Sequence, residues 1–135
     1  MSAPISPSVQ GKCTIVYIDD EPEALELIHY ILRDKNFELI TASEGREGLE
    51  LVSKHKPHLV LLDLMMPDMD GWAVYQQMKI DDELKHIPVI IVTAKSQSID
   101  KVLGLHVAKV DDYITKPFSS QKLLASINKV LGTEF

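Results

Sequence analysis

Two stretches of the chain, Leu59-Val-Leu-Leu62 and Val89-Ile-Ile-Val92, contain no polar residue at all. Successive side chains of a strand point to opposite faces of its sheet, so a strand lacking polar alternates must be covered on both sides. That is the condition of a parallel sheet held between two layers of helices. It excludes an antiparallel sheet with one wet face, and most of the remaining sequence has to be read around it.

Strand and helix patterns alternate as this requires. Thr14 to Ile18 is a short β-branched and aromatic run, and Phe37 to Ala42 is a second strand. Between them Pro22 suits a first helical turn, and Leu25, Ile28, Ile31 and Leu32 form an apolar stripe ending near Asp34. Ser43 reads as the N-cap of a helix running to about Lys54, with Leu49 and Val52 inward and Gly45 and Gly48 weakening its start. A helix is expected over Gly71 to Met78, followed by an acidic loop at Asp81 to Glu83, and another over Ile99 to Ala108. Tyr113 to Thr115 is a fifth, short strand. Ser119 caps a last helix with Leu123, Leu124, Ile127, Val130 and Leu131 on one face, and Gly132 ends it. Five strands and five helices in alternation give an α/β sandwich, and right-handed crossovers place helices on both faces.

The 135 residues suffice for one domain, and 45% hydrophobic content supports a core without a disulfide framework, which the single Cys13 cannot supply. Residues 1–11, with two prolines and three serines, read as a flexible tail, residues 12–132 as the domain and 133–135 as a C-terminal tail. No apolar stretch reaches membrane-spanning length, and the N-terminus has no signal-peptide pattern, so a cytoplasmic location without membrane attachment is expected. A net charge of −6 argues against direct nucleic-acid binding. The five histidines are scattered without metal-ligand spacing.

Ligands of open α/β sheets bind beyond the carboxyl ends of the strands. At those ends stand Asp19-Asp20-Glu21, Asp63, Thr93-Ala94 and Lys116-Pro117. Taken singly, Asp20 reads as a helix cap, Asp63 as a turn acid, Thr93 as a strand residue and Lys116 as a surface charge. Their coincidence at four strand ends is what those readings leave unexplained. Crowded carboxylates repel, and one takes up a proton unless a cation intervenes. Mg²⁺ is a hard ion suited to one or two carboxylates plus waters. An ionised carboxylate is already a nucleophile toward phosphorus, a lysine neutralises phosphoryl oxygens, and the Thr93 hydroxyl with the Ala94 N–H can hold another oxygen.

The sequence resembles the receiver domain of two-component response regulators. The matching segments are Ile18-Asp-Asp-Glu-Pro22, Leu61-Leu-Asp-Leu-Met-Met-Pro67 with Asp70-Gly71, Val92-Thr-Ala-Lys95 and Asp111-Asp-Tyr-Ile-Thr-Lys-Pro-Phe118, in order across about Lys12 to Leu131. The resemblance implies a flavodoxin-like sheet of order 2-1-3-4-5. It implies Asp63 as phosphoacceptor, with Mg²⁺ held by Asp20, Asp63 and the Met65 carbonyl, and Asp19 holding a metal-bound water. Lys116 contacts the phosphoryl group, Thr93 and Tyr113 form the conformational relay, and the Lys116-Pro117 bond is cis. It further implies a sensor histidine kinase or phosphotransfer protein as donor, an effector domain or downstream protein as recipient, and a phosphorylation-dependent homodimer. Met65 and Lys95 flank the expected path of hydrolytic water, and neither can activate it. Two departures stand out. Ala108-Lys109-Val110 replaces a glycine-containing segment, leaving the rest position of Tyr113 open, and Ser126 stands where regulators with winged-helix effectors commonly carry arginine. With only Gly132 to Phe135 after the last helix, the reading is a stand-alone receiver or one excised from a longer protein.

Other functions fit less well. A hydrolase of the haloacid dehalogenase kind needs a second acid two residues after the nucleophile, where Met65 stands. A flavin mononucleotide binder needs a Ser/Thr/Gly-rich loop after the first strand, where this chain has Asp19-Asp-Glu-Pro22. A receiver that works without phosphorylation would lack a site residue, and none is missing.

Overall fold

The computed structural model describes residues 13–33, 35–66, 70–94 and 110–134. They form β1 (Cys13–Ile18), α1 (Pro22–Leu32), β2 (Phe37–Ala42), α2 (Gly45–His55), β3 (Leu59–Asp63), α3 (Gly71–Ile80), β4 (Val89–Ala94), β5 (Asp112–Lys116) and α4 (Ser120–Leu131). All neighbouring strands pair in parallel, in the order β2-β1-β3-β4-β5. The expected helix over Ile99 to Ala108 lies outside the described residues.

The two apolar runs do what their composition demands. Leu59, Leu61, Ile90 and Val92 pack with Ile15 and Tyr17 against Ile28 and Leu32 of α1 and Leu123, Ile127 and Leu131 of α4. Val60, Leu62, Val89 and Ile91 point the other way and join Val16 and Ile18 against Val52 of α2 and Val74 and Met78 of α3. Each of these strand residues is completely buried. Burying one such side chain contributes about 1.5–3 kcal/mol, so this double-sided cover is the main source of stability. Cys13 is a buried, free thiol at the start of β1, and burial pushes its pKa up to about 11.

The helix ends show where local chemistry acts. Ser119 accepts the Lys122 N–H at 3.1 Å to open α4, and Gly132 closes it in the left-handed conformation at φ 70°. Asp70 opens α3 in the same way, accepting the Ala73 N–H at 3.0 Å. The expectation for α2 needs correction. Its N-cap is Glu44, not Ser43, and the Ser43 N–H is taken by Glu47 Oε1 at 3.2 Å. Gly48 has a packing reason: a Cβ there would run into the Ile18 side chain, so α2 lies closer to the sheet than an alanine would allow.

Candidate functional site

The carboxyl ends of β1, β3, β4 and β5 meet at one edge of the sheet. Asp19 and Asp20 follow β1, Asp63 ends β3, Thr93 and Ala94 end β4, and Lys116 ends β5. One carboxylate oxygen from each of Asp19, Asp20 and Asp63 lies within 4.8 Å of the others. Asp19 is fully buried and Asp63 is 4% exposed, whereas the Asp20 carboxylate opens to solvent. Such a group offers three hard oxygen donors and unbalanced negative charge, which fits a small divalent cation such as Mg²⁺.

Lys116 reaches across the strand ends. Its Nζ lies 2.7 Å from Asp19 Oδ2, 2.7 Å from Glu21 Oε1 and 3.7 Å from Asp63 Oδ2. Burial works against the ammonium charge, but the hydrogen bonds to Asp19 and Glu21 outweigh it and raise the Lys116 pKa. Asp19 is held further by the Tyr17 hydroxyl, donating at 2.5 Å to Oδ2, and by the Glu21 N–H, donating at 3.0 Å to Oδ1. Burial, then the charge of Asp19, drives the Tyr17 pKa far upward, so this hydroxyl remains a donor.

Asp63 is less well compensated. It accepts the Met65 N–H at 3.3 Å on Oδ1. Burial first, then the charge of Asp19, push its pKa up to about 7, against the lowering effect of Lys116. Without a bound cation, therefore, Asp63 carries a proton over much of the range in which an ordinary aspartate is ionised.

The loop after Asp63 is fixed by close backbone contact. Gly71 N–H donates to the Leu64 carbonyl at 2.8 Å. A Cβ on Gly71 would strike the Asp63 carbonyl oxygen and sit 2.6 Å from Leu64 Cα. Gly71→Ala is expected to destabilise the protein by about 1–3 kcal/mol, the usual cost of overpacking. A urea midpoint unchanged from wild type would show that the loop yields.

The remaining expected residues occupy distinct positions. Thr93 is fully buried, and its Oγ1 has no hydrogen-bond partner among the described residues. Tyr113 is 40% exposed. Met65 is 56% exposed beside Asp63. Ala94 shares a groove with Lys116, bordered by Ala24, Leu27, Pro117 and Phe118. The Lys116-Pro117 bond is cis. Lys95 and Pro67 lie outside the described residues. Sequence reasoning gave no role to Tyr17 or to the Glu21 side chain. The signal for Tyr17 was available, since residues two apart on a strand share a face and Tyr17 precedes Asp19 by two. Nothing local marks Glu21, whose partner lies 95 residues away.

Comparison with known proteins agrees with this geometry. The profile of the response regulator receiver domain matches residues 15–128. The alkaline phosphatase synthesis transcriptional regulatory protein PhoP of Bacillus subtilis is 38% identical over 117 residues, covering 87% of this chain and 48% of that protein. The chain thus spans about half the length of this curated relative. Among solved structures, the signal receiver domain of a signal transduction histidine kinase from Syntrophus aciditrophicus is 32% identical, with a TM-score of 0.78, covering 88% of this chain and 89% of that one. The chemotaxis protein CheY4 of Vibrio cholerae is 25% identical, with a TM-score of 0.80, covering 90% and 100%. Strand order, the acids and lysine at the strand ends and the span of the match lead to one conclusion: the chain belongs to the response regulator receiver domain family, the receivers of two-component signalling.

Proposed function

We propose that Asp63 accepts a phosphoryl group in a Mg²⁺-dependent reaction and that this switches an output surface. The observation that carries the reading is the convergence of three carboxylates and one lysine at the strand ends, with Asp63 nearly buried among them. Asp20, Asp63 and the Met65 carbonyl would hold the ion, with Asp19 orienting a water on it. The ion supplies positive charge to neutralise the transferred group and keeps Asp63 ionised. Asp63 provides the attacking carboxylate oxygen, and Lys116 offers an ammonium to the phosphoryl oxygens. The unpartnered Thr93 hydroxyl and the Ala94 N–H supply further donors. Movement of Thr93 toward the group leaves space for Tyr113 to turn inward, which biases a two-state equilibrium without creating a new fold. The donor is a sensor histidine kinase, a phosphotransfer protein or a small phosphodonor, in the cytoplasm. Output passes to an effector domain or downstream protein, or through a phosphorylation-dependent homodimer.

The test is thermal melting with Mg²⁺, beryllofluoride and both together. A ligand bound only by the native state stabilises it by mass action, by about 2.7 kcal/mol at a hundredfold excess over Kd. Mg²⁺ alone should raise Tm, and beryllofluoride should raise it further only when Mg²⁺ is present. Melts indifferent to Mg²⁺ at saturating concentration would refute the site.

The lifetime of the signal follows from Met65. Met65 lies two residues past Asp63, to which its N–H donates, and is 56% exposed; its thioether gives no strong hydrogen bond to orient a water. Positioned acid–base help is worth ~10²–10⁴-fold, so its absence should leave phospho-Asp63 stable for minutes or longer. Decay should quicken by roughly tenfold or more, within that range, in Met65→Asn combined with Lys95→Glu. A wild-type lifetime of seconds, or an unaltered double variant, would show that the rate is set elsewhere.

A further inference from the structure

Lys116 is not poised on the acceptor. Its two short contacts go to Asp19 and Glu21, each at 2.7 Å, and Asp63 at 3.7 Å lies beyond hydrogen-bond reach. The two short contacts differ in kind. Asp19 is fully buried and pinned by the Tyr17 hydroxyl and the Glu21 N–H, so it is a fixed part of the site. The Glu21 side chain is 56% exposed and rises over Lys116 from the N-cap position of α1. Water can solvate its carboxylate once it lets go, so the contact is breakable at low cost.

Building on the phosphoryl-transfer reading above, we propose that Glu21 is a positioning residue: its carboxylate latches Lys116 away from Asp63 and must release it before the ammonium can meet the phosphoryl group. A cation held by Asp20 and Asp63, with Asp19 on a water beside it, would weaken the pull of Asp19 on Lys116. It leaves the Glu21 contact standing, because Glu21 is outside that cluster. The latch therefore sets how readily the charged metal site engages a phosphoryl group, and it does so through one hydrogen-bonded ion pair whose length matters.

That dependence on length separates a latch from a general negative field. Glu21→Gln removes the charge. Glu21→Asp keeps the charge but withdraws it by one methylene from a contact that is 2.7 Å long. At saturating Mg²⁺, beryllofluoride affinity is measured for wild type, Glu21→Gln, Glu21→Asp and Lys116→Met, and for Glu21→Gln combined with Lys116→Met. The latch predicts that both Glu21 variants bind roughly two- to fivefold more tightly than wild type, the scale of a partly exposed ion pair. It also predicts that Glu21→Gln changes nothing once Lys116 is methionine. If Glu21→Asp binds as wild type does, or if the gain from Glu21→Gln persists without Lys116, only the field of Glu21 acts and the latch is wrong. Equal affinity of wild type and Glu21→Gln also overturns it, with the receiver reading intact. Failure of wild type itself to take up beryllofluoride with Mg²⁺ overturns both.

Discussion

Replacing Lys116 with methionine is expected to destabilise the metal-free protein by roughly 3–5 kcal/mol, the usual cost of removing one partner from a buried ion pair. The reason is Asp19. Its side chain has no exposure, and Lys116 at 2.7 Å is its cationic partner among the described residues. Tyr17 and the Glu21 N–H still donate to Asp19 in the variant, but neither carries a charge. The loss should be largest at high pH, where Asp63 no longer holds the proton that relieves its repulsion with Asp19, and Mg²⁺ should recover part of it by supplying the missing positive charge. Urea denaturation at pH 8 with a chelator, and again with excess Mg²⁺, measures both effects. A variant within about 0.5 kcal/mol of wild type, the range of an ordinary surface change, would mean that Lys116 is not the counter-charge of this site.

Asp63→Asn should have the opposite effect on stability while abolishing phosphorylation. Asp63 titrates near 3.8 when unfolded and at about 7 in the native, metal-free protein. Between these values the native state holds a proton that the unfolded state has released, so the contribution of Asp63 is fully present below pH 4 and is lost as the pH rises through 7. Asparagine cannot ionise and does not suffer the loss. With a chelator present, the variant should match wild type near pH 4 and exceed it at pH 8 by up to ~4 kcal/mol, since each tenfold difference in proton affinity between the native and unfolded carboxyl is worth about 1.4 kcal/mol. Excess Mg²⁺ should shrink or reverse the gap, because the ion rewards the ionised carboxylate. Denaturation curves from pH 4 to pH 8, run as wild-type and variant pairs, isolate this group from the other titrations. A gap that does not grow with pH would place Asp63 in a less hostile environment than the three-acid cluster provides.

The parts of this molecule visible in the sequence are those fixed by periodicity and by strand ends. Leu59 to Leu62 and Val89 to Val92 carry no polar residue, so their double burial was forced, and with it a covered parallel sheet. Asp19, Asp63, Thr93 and Lys116 could be assigned to one edge because each ends or follows a strand, and parallel strands end on the same side. The strand order was supplied by the family resemblance, since periodicity gives no neighbour information. The start of α2 was misread because two residues compete for it. Ser43 has the better capping chemistry, yet its own N–H is engaged by Glu47 and the helix begins two residues later, at Gly45. Gly48 looked like a weakness and is a contact, since the Ile18 side chain occupies the space of a Cβ. The grip of Glu21 on Lys116 depends on β1 and β5 ending on the same side across β3 and β4, which no local pattern records.

The central claim, that Asp63 takes up a phosphoryl group with the help of a divalent cation, is tested most directly by peptide mapping of wild-type protein treated with acetyl phosphate, with Mg²⁺ in one arm and a chelator in the other. The account predicts a phospho-adduct on the peptide carrying Asp63 in the Mg²⁺ arm, absent with chelator and absent in Asp63→Asn. An adduct that forms equally without the cation, or that maps to a residue other than Asp63, would contradict it.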